Sequence, residues 1–216
     1  GLHDGMVIAD VEAYRDHRQI IGKEPNYVWR SGVKHDCSKV MELRRTPEGL
    51  ENGFKEAVSI EADYLFPLLK SSDVAKGHVD DVRLNVIVTQ QKIGDETAHI
   101  ERTAPRTWAY LSDHRSHLDK RGSVIYRGKP PFSIFGIGDY AFEPWKVAIS
   151  GFYKRLAFQL IPPQGGKPVM VDDTVYFIGC GSKAEARFLH EILMSDLAKG
   201  ALESMVFWND KRPITV

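Results

Sequence analysis

Cysteine is scarce in this 216-residue chain, with Cys37 and Cys180 the only two. Two thiols cannot form a disulfide scaffold, and the count fits a reducing cytoplasm. Long hydrophobic runs are missing as well. None approaches the roughly 20 residues of a membrane span, and no basic-then-apolar leader opens the chain, so no membrane partner is expected. Net charge is also lacking. The 29 Lys and Arg against 29 Asp and Glu give a formal charge of zero, which argues against a generic polybasic binder. There is no internal repeat and no low-complexity tract. What is present is a 43% apolar and 27% charged composition, that of a soluble globular protein. The length can bury a sizeable core, as one large domain or a domain with a small appendage. The chain opens on Gly1 rather than methionine and ends in Lys211-Arg212-Pro213-Ile214-Thr215-Val216 without a polar tail. It reads as a piece of a longer protein.

Periodicity and turn residues give a mixed α/β (α+β) class, a mixed sheet with helices packed on it. Residues 26–31 and 39–45 read as extended, bounded by Gly32 and the turn signal Thr46-Pro47-Glu48-Gly49. Residues 63–69 read as a short helical turn that feeds the polar stop Lys70-Ser71-Ser72-Asp73. Residues 83–89, rich in β-branched side chains, form a strand candidate. Pro105 suits the first turn of a helix running toward Leu118. Strands are expected at 147–150, 157–161 and 169–178, the last two separated by Pro162-Pro163-Gln164-Gly165-Gly166. Ser182 with Glu185 three residues on is a capping-box signature, and Ala186, Leu189, Ile192 and Leu193 follow on one helical face. A second helix is expected from Asp196 to about Trp208. The four strands from 83 to 178 are expected in a single sheet, with the C-terminal helix pair on one side.

The stretch from Pro130 to Gly151 holds Phe132, Phe135, Tyr140, Phe142 and Trp145, with Gly136 and Gly138 where backbone can come close to a partner. From His114 to Arg155, eight Lys and Arg stand against Asp119, Asp139 and Glu143, a local net of +5. Flat faces interleaved with cations suit a polyanion with exposed bases. The same composition also describes an aromatic-rich core strand pair beside a solvated charged face.

Catalytic signals fall short of complete sets. Phe135-Gly136-Ile137-Gly138 has the glycines of an S-adenosylmethionine loop, but Pro144 stands where the following helix should grow. No Asn-Pro-Pro-Tyr or Asp-Pro-Pro-Tyr is present, the tetrapeptide that grips a flipped adenine in amino-methyltransferases. Asp172-Asp173 offers half of a metal-dependent nuclease site, without the nearby Glu-x-Lys that such a site needs. Such a pair otherwise accepts hydrogen bonds from backbone or arginine, and a structural role is expected here. His114-x-x-His117 and His35-Asp36-Cys37 lack the further ligands of a zinc site and read as solvent-facing. Ser150-Gly151 has no Gly-x-Ser-x-Gly frame. No catalytic residue and no metal ligand is assigned.

Several segments taken together resemble a known family. They are Trp29-Arg30-Ser31-Gly32, Tyr64-Leu65-Phe66-Pro67-Leu68-Leu69-Lys70-Ser71-Ser72-Asp73, Trp108-Ala109-Tyr110-Leu111, the Phe132-to-Gly151 stretch and Lys167-Pro168-Val169-Met170-Val171-Asp172-Asp173-Thr174. The ensemble resembles the C-terminal target-recognition region of bacterial adenine-N6 DNA methyltransferases, the TaqI-like class and the fused type II restriction–modification enzymes. The resemblance spans 26–216 and leaves 1–25 as an N-terminal connecting segment. It implies a cytoplasmic domain that binds double-stranded DNA beside a methyltransferase domain in cis. S-adenosylmethionine and the catalytic tetrapeptide would then belong to that other domain, and this chain would hold no cofactor. The recognition domain would read base edges while cations fix phosphates, and the target adenine would leave the stack for the other domain's pocket.

The residues expected at DNA are Lys70, Ser71 and Ser72 at the end of the 63–73 segment. Arg121, Arg127, Lys129, Lys146 and Lys154 are the expected phosphate or base contacts, and Phe135, Tyr140 and Trp145 the groove-facing aromatics. Two other readings stay open. One is a metal-dependent nuclease using Asp172 and Asp173; the other is a protein-interaction module of a defence complex using exposed aromatics.

Overall fold

The extended segments of this chain are shared between two sheets. The computed structural model describes residues 1–3, 6–17 and 26–214. A short hairpin of β1 (Leu2–His3) and β2 (Met6–Val7) leads to α1 (Val11–His17), β3 (Arg30–Ser31), α2 (Ser38–Met41), β4 (Glu42–Thr46), β5 (Gly49–Glu51) and β6 (Ala57–Val58). Then come β7 (Leu65–Leu69), α3 (Ser71–Lys76), β8 (Leu84–Ile87), α4 (Ile100–Thr103), α5 (Pro105–Asp113) and α6 (Arg115–Asp119). The chain closes with β9 (Trp145–Ser150), β10 (Gln159–Ile161), β11 (Met170–Val171), β12 (Val175–Cys180), α7 (Lys183–Met194) and α8 (Asp196–Met205).

One sheet runs β11-β7-β8-β4-β5-β6, antiparallel apart from the parallel β11–β7 pair; the other is antiparallel, in the order β10-β9-β12-β3. The mixed α+β class holds, but the expected single sheet does not. The break lies at residues 172–174. Asp172 and Asp173 interrupt the expected 169–178 strand, so the chain leaves the first sheet after Val171 and enters the second at Val175.

The expected helical turn at 63–69 is a strand preceded by one 3-10 turn at Ala62–Tyr64. β7 pairs with β8 along its length and with β11 at Leu68–Leu69, and Leu65, Phe66, Leu68 and Leu69 all pack in or against the larger core, which overrides the turn signal of Pro67. The Tyr64 carbonyl accepts from the Val88 N–H at 2.8 Å. Ladder bonds toward β8 therefore alternate so that Pro67, opposite Asn85, sits where no N–H is required. The 39–45 segment begins as a helical turn and becomes strand only at Glu42, and of 26–31 only Arg30–Ser31 pairs. At α7 the Ser182 hydroxyl accepts from the Glu185 N–H at 3.2 Å, while the Glu185 carboxylate reaches the Gly181 N–H at 2.9 Å, one residue before the regular box. Ala186 and Leu189 are buried as expected, but Ile192 is 45% exposed, and α8 stops at Met205.

The larger core lies within the six-stranded sheet and against α5, and a second core lies between the four-stranded sheet and α7. Strand alternation divides β9 between them. Val147 and Ile149 join Tyr176, Ile178, Ala186 and Leu189, while Ala148 joins Phe177 in the larger core. α1 packs on α8, with Tyr14 buried. Within the expected 1–25 connecting segment, residues 4–5 and 18–25 lie outside the described residues, as do 215–216 at the other end.

Lys146 shares the inner face of β9 with Ala148 and is 1% exposed. Its Nζ donates to the Glu143 carbonyl at 2.8 Å and lies 5.6 Å from the Phe177 ring centre. Burial pushes its pKa down from 10.5 to about 7, against the smaller opposing pull of the Glu143 and Cys180 charges. Between those two values the unfolded chain holds a proton here that the folded chain does not, so stability rises with pH across the window and the cost is complete below it. Lys146→Met should therefore stabilise the protein near pH 7 by on the order of 3 kcal/mol, with the gain shrinking toward pH 10. Urea midpoints of both proteins at the two pH values check this. A difference that does not change with pH would contradict it.

Candidate nucleic-acid interface

Segments 30–36 and 170–176 cross between the sheets side by side. The Gly32 N–H donates to the Val175 carbonyl at 3.1 Å and the Val33 N–H to that of Val171 at 2.7 Å. Lys34 and Phe135 exchange backbone bonds of 2.8 and 2.9 Å. Such an approach needs glycine. A Cβ on Gly32 would collide with the carbonyls of Val171 and Asp172, and one on Gly136, held at φ +66°, with the carbonyl of Gly32.

Beneath this seam lies a polar set. Asp172, 7% exposed, accepts from the Ser71 N–H at 3.3 Å, the Thr174 N–H at 3.0 Å and the Thr174 hydroxyl at 2.6 Å. Lys70 Nζ stands 3.4 Å from Asp172 Oδ2 and 2.8 Å from Glu42 Oε1, which also receives His35 Nε2 at 3.1 Å. The Cys37 N–H donates to His35 Nδ1 at 3.2 Å, which places the ring proton on Nε2. Burial would raise the Glu42 pKa, but the hydrogen bonds from His35 and Lys70 outweigh it and hold the carboxyl below its usual range. For Lys70 burial is likewise outweighed, by Glu42 and Asp172, and its pKa is raised. The Ser71 hydroxyl meets that of Ser150 at 2.5 Å.

Ser71 thus ties α3 to β9 of the other sheet and is turned inward from the DNA-facing position expected of it, whereas Lys70, held by Glu42 and Asp172, keeps 36% of its side chain exposed on a groove. Ser72 is half-buried on a groove it shares with Arg44, Asp73, His78 and Arg83. Asp173 faces Lys34 at 3.4 Å. Among the described residues no group of three His, Cys, Asp or Glu is placed to hold a metal. His35 is buried rather than solvent-facing, and His114 is held by Glu56 at 2.8 Å and the Tyr110 carbonyl at 2.8 Å. His117 is exposed and lies tilted against Phe54, with ring centres 4.7 Å apart.

Above the seam a cleft opens, lined by Ser31, Gly32, Lys34, Phe135, Gly136, Asp173, Tyr176 and Arg212, its carboxylate Asp173 facing Lys34. Two loops join it. Residues 120–129 attach through Tyr126, which packs edge-on against Phe135 at 5.3 Å. Arg121 pins this loop, donating to the carbonyls of Leu118 at 2.8 Å, Ser133 at 2.7 Å and His35 at 3.4 Å, with its guanidinium 3.8 Å from the Tyr126 ring centre. Burial lowers the Arg121 pKa and raises that of Tyr126. Arg121 is therefore an anchor. The exposed cations of the loop are Lys120, Arg127 and Lys129, none in an ion pair among the described residues.

The second loop, residues 151–155, attaches through Arg212, whose guanidinium lies 5.6 Å from the Phe152 ring centre and 5.0 Å from that of Tyr176. Arg212 also donates to the Asp173 carbonyl at 2.7 Å. Lys154 is exposed on this loop. Of the expected aromatics, Phe135 lines the cleft. Tyr140 is half-buried against Phe177 with Arg30 5.0 Å above it, and Trp145 is half-buried under Lys183 at 5.7 Å. Lys146, buried in β9, belongs to no surface. The arrangement sets exposed cations on two pinned loops beside a cleft floored by bare backbone, a geometry that can hold a polyanion.

No protein-family model matches the chain. It is 45% identical over 214 residues to the type II methyltransferase M.NspV of Nostoc sp., an alignment that takes in 99% of this chain and 45% of that relative. The chain thus spans less than half the length of the methyltransferase to which it is related. A solved structure of the type IIL restriction-modification enzyme MmeI in complex with DNA superposes with a TM-score of 0.48 at 10% identity, over 80% of this chain and 21% of that one.

The seam yields a stability test. Gly136→Ala adds a methyl against the Gly32 carbonyl and strains a left-handed backbone, and should cost about 2–5 kcal/mol. Gly128→Ala also sits at positive φ but meets nothing within 4 Å, and should cost about 1 kcal/mol. Urea denaturation of the two variants measures the difference. Equal losses would show that the crossing is not tightly packed.

Proposed function

We propose that this chain is the DNA target-recognition part of a type II adenine DNA methyltransferase, acting in cis with a catalytic domain that binds S-adenosylmethionine. The observation that carries the reading is the 45% identity to a type II methyltransferase along almost the whole chain, in a chain that spans under half of that protein. The segment lacks the tetrapeptide that would grip an adenine, which leaves the chemistry to the remainder. What it offers is a pinned basic loop beside a backbone-floored cleft. Lys120, Lys129 and Lys154 are exposed and suited to phosphates, and Arg127 to a base edge or a phosphate. Arg121 and Tyr126 act one step back, as positioning residues that hold the loop.

Binding to a labelled duplex of about 30 base pairs, followed by anisotropy from about 50 to 200 mM salt, tests this. Affinity should fall log-linearly with salt, and Lys129→Ala should reduce the slope by roughly one unit for every duplex alike. Arg127→Ala should cost about 1–3 kcal/mol if the side chain reads a base. Thermal unfolding should be unchanged in both variants, because exposed unpaired cations carry little stability. No measurable duplex binding by the wild type at low salt would overturn the reading.

A further inference from the structure

The loop between β9 and β10 carries a feature that the basic 120–129 loop lacks. Phe152 and Tyr153 stand next to each other at its tip, 44% and 38% exposed, followed by exposed Lys154 and Arg155, and no carboxylate interrupts residues 151–155. Adjacent aromatics with this much ring surface in water at a hairpin tip leave apolar faces open to a partner. The base of the loop is nonetheless fixed. The Phe152 N–H donates to the Ser150 hydroxyl at 3.4 Å, Arg155 donates to the Ala75 carbonyl, and a Cβ on Gly151 would press on the Thr174 carbonyl and Arg212. Arg212 lies between Phe152 and Tyr176 and joins this tip to the cleft.

We infer that Phe152 and Tyr153 form a stacking platform for unpaired or unstacked nucleobases of the bound DNA, with Lys154 on the adjoining phosphate. The inference rests on the DNA-binding reading above. Its physical basis is charge and shape together. Two ring faces accept the π-face of any base, and the neighbouring cations select a polyanion over an apolar peptide. The ring pair sits on a rigid turn, so little conformational freedom is lost when a base stacks. A fully paired duplex presents no free base face. The platform would therefore engage where the helix is opened, as happens when a target base leaves the stack.

The test compares two labelled duplexes, one fully paired and one carrying a single unpaired nucleotide, with the wild-type protein and Tyr153→Ala, Phe152→Ala and Lys154→Ala variants. The wild type should prefer the duplex with the unpaired nucleotide. Tyr153→Ala should lose about five- to 100-fold in affinity for it, erase the preference and leave the salt slope unchanged, since stacking releases no counterions. Lys154→Ala should instead lower the slope by about one on both duplexes. Phe152 touches Arg212 and its replacement can disturb the cleft, whereas Tyr153 makes no ring or side-chain hydrogen-bond contact among the described residues, so Tyr153→Ala decides. Wild-type affinity and preference in Tyr153→Ala, on a protein that binds DNA with a steep salt slope, would overturn the platform alone. A wild type with no DNA affinity would overturn the platform together with the reading beneath it.

Discussion

Everything on the candidate face depends on one close backbone crossing. Gly32 lies against Val171 and Asp172, and Gly136 lies against Gly32. There the segment that passes from the six-stranded sheet into the four-stranded one runs past residues 32–34, which lead out of the four-stranded sheet. Asp172 is the pivot. Its carboxylate holds the start of α3 through Ser71, closes the turn to β12 through Thr174 and faces Lys70, which in turn reaches Glu42 on β4. A charged group this deep is tolerated only because each of its oxygens is bonded. The reward is orientation: the cleft and both of its loops inherit their positions from the crossing.

Charge in this molecule divides by location rather than by count. Lys70, Arg121 and Lys146 look alike in composition to Arg127, Lys129 and Lys154, yet the first three are engaged by carboxylates, carbonyls or a ring of the fold, and the latter are in water without an ion pair among the described residues. Lys70 and Arg121 hold elements in place, Lys146 is a buried cost that the fold carries, and the outer set is left for a partner. A neutral protein can therefore present a locally positive strip without any excess of basic residues.

Elements with a complete local code were legible in the sequence. β8 was marked by β-branched residues, α5 by Pro105 at its first turn, and α7 by Ser182 and its buried Ala186 and Leu189. The errors came where tertiary pairing outweighs local signal. β7 is apolar on successive residues because side chains on both of its faces pack in or against the core, so it shows no alternation, and Pro67 argued for a turn. The 169–178 run looked continuous although two carboxylates break it. Lys146 looked like a surface cation, yet it sits in Trp145–Ser150, where every residue from 146 to 150 is buried, and that apolar setting was the available sign. Glu42 carried no sign at all, because its partners His35 and Lys70 come from separate parts of the chain. The basic loop was found from charge clustering, whereas the anchoring role of Arg121 within it was not.

The parallel pairing of β11 with β7 bears on how the molecule is made. Strands β4 through β8 come from residues 42–87, yet the edge of their sheet is completed by Met170 and Val171. During synthesis that edge stays open until residues 170–171 have emerged, and the Asp172 pivot cannot form before then. Such a fold gains its cooperativity late, through contacts far apart in sequence. An exposed β7 edge in the nascent chain is the place where misassembly with another chain would begin.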